Sequence, residues 1–171
     1  MNAGNAGLDS GYQSCLDAAY RYLGYRPRSE FEVKARLGQR GFDSQSIERA
    51  LQELRTKGSL DDLAFARFWK ENRESFRPRS RALLGRELRT KGVAPHIVAE
   101  VIDEVDEEAN AYRAAQKTAR RLACNDYDRF RAGLTSFLRR RGFDYDVIAH
   151  VLDRLWHEKP IVPTRACHSD R

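Results

Sequence analysis

Three segments of the chain carry one hydrophobic pattern around a glycine. Gly41, Gly92 and Gly142 stand 51 and 50 residues apart, inside QRGFDSQSI, TKGVAPHIV and RRGFDYDVI. Eight and four residues before each glycine sit Val33 and Leu37, Leu84 and Leu88, Leu134 and Leu138. One, six, nine, ten and thirteen residues after it sit Phe42, Ile47, Ala50, Leu51 and Leu54, then Val93, Val98, Val101, Ile102 and Val105, then Phe143, Ile148, Val151, Leu152 and Leu155. That spacing is a helix face on both sides of the glycine. The repeated unit is therefore predicted to be a helix, a glycine stop and a second helix.

The residues between the apolar positions agree. A glycine just past a helix end supplies the left-handed backbone that side chains resist, and the apolar residue after it can pack back on the helix it closes. Ser29 with Glu32 reads as a capping box, and Asp43 and Asp144 are placed as N-caps. Pro95 suits a first helical turn, although Ala94 before it is a poor cap. One more amphipathic stretch precedes each pair: Leu16, Ala19, Tyr20 and Leu23; Phe65, Phe68, Trp69, Asn72 and Phe76; Tyr112, Ala115, Ala119 and Leu122. Gly58 ends the third helix, and Asp61 or Asp62 caps the fourth. The expectation is an all-α chain of nine helices in three repeats, 11–59, 60–109 and 110–158, with 1–10 and 159–171 as loose tails. A competing period of 34, suggested by ELRTKG at 53–58 and 87–92, reaches Asp126 on its next step and finds nothing similar.

Composition supports helices: Val and Ile number 13 against 36 for Ala and Leu. With 171 residues the chain can bury a sizeable core without disulfides or metals. Cys15, Cys124 and Cys167 are odd in number and form no CxxC, which fits a reducing cytoplasm. No apolar run approaches the roughly 20 residues a membrane span needs, and the N-terminus lacks the basic flank and apolar run of a secretory signal.

The net charge of +6 makes polyanions plausible neighbours, but its distribution says more. Residues 73–91 hold Arg73, Arg77, Arg79, Arg81, Arg86, Arg89 and Lys91 against two acids, whereas 100–108 holds six acids and no base. The basic stretch is the expected place for a partner surface or DNA phosphates. Arg139, Arg140 and Arg141 form a second cluster. Successive helical residues point about 100° apart, so these three are expected to serve different contacts. The chain has no phosphate-binding loop, dinucleotide fingerprint, nucleophile elbow or HExxH, so no reaction, cofactor or metal is expected. His150 and His157 near Asp153 read as a solvated helix face, and Cys167–His168 lacks a second pair of ligands. Asp61 and Asp62 read as a cap and a dipole partner rather than a catalytic pair. Phe65, Phe68 and Trp69 read as core rather than as a base-stacking platform.

GSLDDLAFARFWKENR (58–73) and RPRSRALLGRELRTKGV (77–93), flanked by RPRSEFEVKARLGQRGFDSQSIERALQEL and FLRRRGFDYDVIAHVL, resemble the RecX family of bacterial regulators of the RecA recombinase. The resemblance covers residues 13–158. Its signature positions here are Leu60, Asp61, Asp62, Phe65, Ala66, Leu88 and Gly92, with Gly41 and Gly142 in the flanking repeats. Ser59 departs from the aromatic the family usually carries there, which is expected to affect packing between the first two repeats. The resemblance implies an elongated, curved array of three tandem three-helix repeats, resembling helix-turn-helix units. It also implies a monomeric, cytoplasmic regulator without a reaction of its own. Such a protein binds the RecA filament along its groove and interferes with ATP hydrolysis, strand exchange or filament growth, and thereby with DNA repair and the SOS response. The alternative is a tandem helix-turn-helix protein acting directly on DNA. Against it, the second helix of the middle repeat carries Glu100, Asp103, Glu104, Asp106 and Glu107, too acidic for a groove. Weak, salt-sensitive DNA affinity is compatible with either reading.

Overall fold

The computed structural model describes residues 3–122 and 126–158, and among them nine helices and no strand. These are α1 Ala3–Leu23, α2 Glu30–Gln39, α3 Ser44–Thr56, α4 Asp62–Phe76, α5 Arg81–Thr90, α6 Pro95–Asp103, α7 Glu107–Arg121, α8 Tyr127–Arg139 and α9 Tyr145–His157. The first differs from expectation: α1 begins at Ala3, so the stretch read as a loose tail continues the helix. Ala3, Ala6 and Leu8 are good helix formers, and no proline intervenes before Pro27. The segment 159–171, with Cys167 and His168, and Cys124 lie outside the described residues.

The three glycine turns are built alike. Gly41, Gly92 and Gly142 have φ of 82°, 76° and 86°, and Gly58 closes α3 at 65°. Each turn folds back so that the next N–H, of Phe42, Val93 or Phe143, donates to the carbonyl of Leu37, Leu88 or Leu138. Those leucines are at most 1% exposed. Removing such a buried leucine to alanine costs about 2–5 kcal/mol. Of the apolar positions that define the repeat, all are buried except Phe42 and Ile102, which are half-buried. On the leading helices, Tyr20 and Phe76 depart from the predicted face and are 36% and 78% exposed.

The caps largely follow the sequence. Ser29 makes the reciprocal capping box with Glu32, and Asp43 accepts from the Ser46 N–H. Pro95 opens α6 behind Ala94, which offers no side-chain bond. Asp144 occupies the N-cap of α9 but makes no side-chain capping bond. Cys15 is a buried free thiol in the core of α1, α2 and α3, and its burial pushes its pKa up.

The chain divides into two compact units, Met1–Asn72 with Leu84–Glu104, and Arg73–Leu83 with Val105–Arg171. The first holds α1 to α3 and their apolar core, centred on Leu37, Leu51 and Leu54, together with α6 and most of α4 and α5. The second holds the core of α7 to α9, centred on Phe130, Leu134, Leu138 and Phe143, together with the turn between α4 and α5. No described helix is long and apolar enough to cross a membrane.

Candidate functional site

The tetrapeptide RPRS occurs at 26–29 and again at 77–80, each copy twelve residues ahead of its glycine. In the first unit the serine does two jobs. Ser29 accepts from the Glu32 N–H at 3.2 Å and its hydroxyl donates to the Lys91 carbonyl at 2.6 Å, immediately before Gly92. A helix start is thereby fastened to the glycine turn of the following repeat. Asp62 completes this joint: its carboxylate accepts from the Glu30 N–H, the first of α2, at 2.8 Å. Asp61 caps its own helix by accepting from Leu63 and Ala64 at 2.8 and 3.0 Å. Of the two adjacent acids, one therefore serves α4 and the other serves α2.

Charge in this first joint is balanced. Glu32 receives Arg26 at 3.0 Å and Lys91 at 2.8 Å. Burial works to raise its pKa, but the hydrogen bonds and charges of Arg26 and Lys91 outweigh it, so the carboxyl titrates below its ordinary value. Burial, with the charges of Glu30 and Asp61, raises Asp62 instead. Arg26 and Lys91 also lie over the Trp69 ring, 5.8 and 5.1 Å from its centroid, while its indole N–H donates to Glu87 at 2.8 Å. Phe65 is buried and Phe68 and Trp69 are half-buried, so this aromatic stretch packs the fold. Leu60 and Ala66 are buried beside it. Ser59, where the resemblance led to the expectation of an aromatic, borders a cleft of ≈ 410 Å³ with Tyr25, Pro27 and Phe65.

The second unit repeats the joint with different chemistry. Ser80 accepts from the Leu83 N–H at 3.1 Å, and its own N–H donates to the Arg141 carbonyl at 3.1 Å, immediately before Gly142. Arg141 reaches back to the Pro78 carbonyl at 3.1 Å and lies over the Phe137 ring at 4.6 Å. Where Glu32 stands in the first joint, 51 positions on stands Leu83. Burial first, then the charges of Arg79, Arg77 and Arg140, push the Arg141 guanidinium below its ordinary value. Arg77 and Arg79 of the first basic cluster thus lie near Arg140 and Arg141 of the second, some sixty residues further along the chain.

The other expected partner residues disperse. Arg81, though exposed, is engaged within the fold, donating to the Val105 carbonyl at 2.8 Å and lying 3.9 Å from Glu107. Lys91 is held by Glu32 and Trp69, as above. Arg73 and the exposed Arg86 and Arg89 lie on α4 and α5, with Arg73 in one unit and the latter two in the other. Arg139 stacks on Tyr145 at 4.3 Å, beside a cleft of ≈ 700 Å³ between α8 and α9. Arg140 donates to Ser136 at 2.8 Å. The basic stretch 73–91 is therefore divided between the two units, 73–83 in one and 84–91 in the other.

Four of the six acids of 100–108 are also committed internally. Arg67 pairs with Glu100 at 2.9 Å, and Lys70 pairs with Glu104 at 2.5 Å. Asp106 caps α7, and Glu107 accepts from the Arg81 N–H at 3.2 Å. Among the described residues no group of three His, Cys, Asp or Glu side chains is placed to hold a metal, and His157 bonds to the Asp153 carbonyl on its own helix. The joints were hidden because each links residues about sixty apart. The one available signal was RPRS itself, present twice at the spacing of the glycines.

Family models match the chain in three consecutive pieces: the first three-helix domain of RecX over residues 15–54, the second over 61–102 and the third over 106–152. A protein from Prosthecochloris aestuarii named Regulatory protein RecX is 37% identical over 147 residues, covering 86% of this chain and 97% of that protein. One of the same name from Pelodictyon phaeoclathratiforme is 34% identical, covering 84% and 90%. The crystal structure of RecX from Lactobacillus salivarius superposes with a TM-score of 0.74 at 20% identity, covering 87% of this chain and 99% of that one, a likeness of fold.

Proposed function

The chain belongs to the RecX family of regulatory proteins, and we propose that it regulates the RecA recombinase. In this reading it binds the RecA–DNA filament along its groove in the cytoplasm as a monomer. It slows ATP hydrolysis, strand exchange and filament growth without catalysing a reaction, and so tempers recombinational repair and the SOS response. The observation that carries the reading is the unbroken order of three RecX modules over residues 15–152. The exposed bases of α5 and the arginine cluster of the second unit are the surfaces we assign to the filament.

The alternative, a tandem helix-turn-helix reader of duplex DNA, has little to recommend it. The helix that would enter a groove in the middle repeat, α6, presents Glu100 and its C-cap Glu104 to Arg67 and Lys70 of α4 and carries no Lys or Arg. The deciding experiment adds the protein to RecA, single-stranded DNA and ATP. Dose-dependent loss of hydrolysis and strand exchange is expected. Unchanged rates at every ratio, combined with tight sequence-selective duplex binding, would overturn the regulator reading.

A further inference from the structure

The groove between the two helices that flank a repeat glycine is bridged in the first repeat, filled in the second and open in the third. Between α2 and α3 it is spanned by two ion pairs, Lys34 with Glu48 and Glu30 with Arg55. Between α5 and α6 the positions of Lys34 and Glu48 hold Gly85 and Ala99, and side chains occupy the gap. A Cβ on Gly85 would lie 3.4 Å from the Arg89 guanidinium and 3.7 Å from Ile102. Counted from Gly142, the same two positions hold Thr135 and Ala149, and those of Glu30 and Arg55 hold Arg131 and Trp156, so neither pair can form between α8 and α9. Arg139, the counterpart of Arg89, stacks instead on Tyr145 at 4.3 Å, where the middle repeat has Pro95. What is left is the cleft of ≈ 700 Å³, a size that takes several side chains.

The chemistry of this cleft specifies its occupant. Its floor is aliphatic, the buried Ile148 and Leu152 beside the exposed Ala132 and Ala149. Tyr127, packed on Trp156, and Tyr145, under Arg139, mark its two ends and are 42% and 65% exposed. Arg131 and Arg139 lie about two turns apart on α8. Among the described residues no carboxylate pairs with either, and Asp128 is the one acid among the lining residues. Two helices offer no strand edge, so an incoming chain must satisfy its own backbone, as a helix does. The guanidiniums call for carboxylates. A phosphate backbone would use them too, but it would meet Asp128 and gain nothing from the aliphatic floor. A second copy of this chain is a poor occupant, because four of the six acids of 100–108 are engaged within the fold.

We propose that the groove between α8 and α9 docks an acidic amphipathic helix of a partner protein. Apolar side chains of that helix settle on Ile148 and Leu152 between the two alanines, and its carboxylates take Arg131 and Arg139. Every lining residue belongs to the second compact unit. The proposal does not rest on the regulator reading, since the partner is defined by its chemistry and binding is measured without recombinase.

The probe is a fluorescein-labelled synthetic peptide of about fifteen residues, enough to span two 13-residue helices, with leucines spaced three and four apart and glutamates elsewhere. Fluorescence anisotropy with the full chain should show saturable binding. Thr135→Lys with Ala149→Glu rebuilds the bridge of Lys34 and Glu48 at unchanged net charge, and should weaken binding about tenfold or more, the weight of one lost anchor side chain. Arg131→Gln should weaken it about two- to fivefold. The same peptide with lysine for glutamate, and polyglutamate without leucines, should each bind about tenfold more weakly or worse than the probe. In alanine-methyl NMR spectra, Ala132 and Ala149 should shift as the probe is added. Circular dichroism establishes that each variant stays helical. No binding by the parent, equal binding by parent and double variant, equal binding of the three peptides, or shifts that spare both alanines would each overturn the proposal. So would a double variant that loses oligonucleotide binding or self-association in place of peptide binding, since nucleic acid or a second copy would then be the occupant.

Discussion

The hydroxyl of Ser29 donates a 2.6 Å hydrogen bond to the carbonyl of Lys91, 62 residues further along the chain, while accepting from the N–H of Glu32. One fully buried serine is both a helix cap and the fastening between two repeats.

Ser29→Ala therefore removes two bonds and leaves a half-buried carbonyl and an N–H without partners. The cap alone is worth about 1 kcal/mol, and an unsatisfied buried group adds about 1–3 kcal/mol. Asp43→Ala removes only a cap, at a position exposed to solvent. Urea denaturation should show Ser29→Ala as the more damaging of the two; equal losses would mean that the Lys91 bond contributes nothing.

The three repeat glycines should not respond alike to alanine. All have positive φ, which costs a side chain about 1–2 kcal/mol. A Cβ at Gly41 would meet nothing within 4 Å, whereas one at Gly92 would lie 2.3 Å from the Cβ of Phe31. Gly92→Ala should be clearly more destabilising than Gly41→Ala by thermal melting. Because the offending atom is a β-carbon, which alanine keeps, adding Phe31→Ala should not restore stability.

The acids of the first joint respond to pH in opposite senses. Burial, then the charges of Glu30 and Asp61, raise Asp62 above 3.8, so the fold binds its proton more tightly than the unfolded chain does. Stability due to this group falls as pH rises through that window, and the deficit persists at neutral pH. Asp62→Asn removes the deficit and keeps an oxygen for the Glu30 N–H, so at neutral pH it should be at least as stable as the parent, whereas Asp62→Ala should lose about 1–3 kcal/mol. Glu32 is depressed below 4.5, against the effect of its burial, by Arg26 and Lys91. Its contribution is present above that value and lost as pH falls through the folded one. Glu32→Gln should accordingly be less stable at neutral pH and show a flatter acid limb when urea midpoints are measured against pH.

What could be read from the sequence is what repeats locally. Val33 and Leu37 with their counterparts, the left-handed glycines and the capping box of Ser29 depend on neighbours within one or two turns, and these hold. Asp144 is a partial exception, seated at its cap without closing the bond. Asp62 was legible as a residue at a helix start, but the helix it serves is α2, and no pattern in the chain joins 30 to 62. What the members of the basic stretch 73–91 bond to was hidden for the same reason. Its members are adjacent in sequence, yet Arg81 and Lys91 are spent on Val105 and Glu32 while Arg77 and Arg79 meet arginines near Gly142. Phe76 has the right register for burial and lies exposed at the last turn of α4.

The joints also set where the series stops. Each is a plug, the serine after Arg-Pro-Arg, seated in a socket, the backbone beside a glycine turn. The chain has three such sockets, at Gly41, Gly92 and Gly142, but only two plugs, Ser29 and Ser80, both seated. The third repeat has none: α8 is 13 residues long where α2 and α5 are 10, and Asp126 caps it in place of an RPRS turn. At Gly41 a Cβ would meet nothing within 4 Å among the described residues. The tetrapeptide thus occurs once for each joint between consecutive repeats, and the chain carries no third copy for the Gly41 turn.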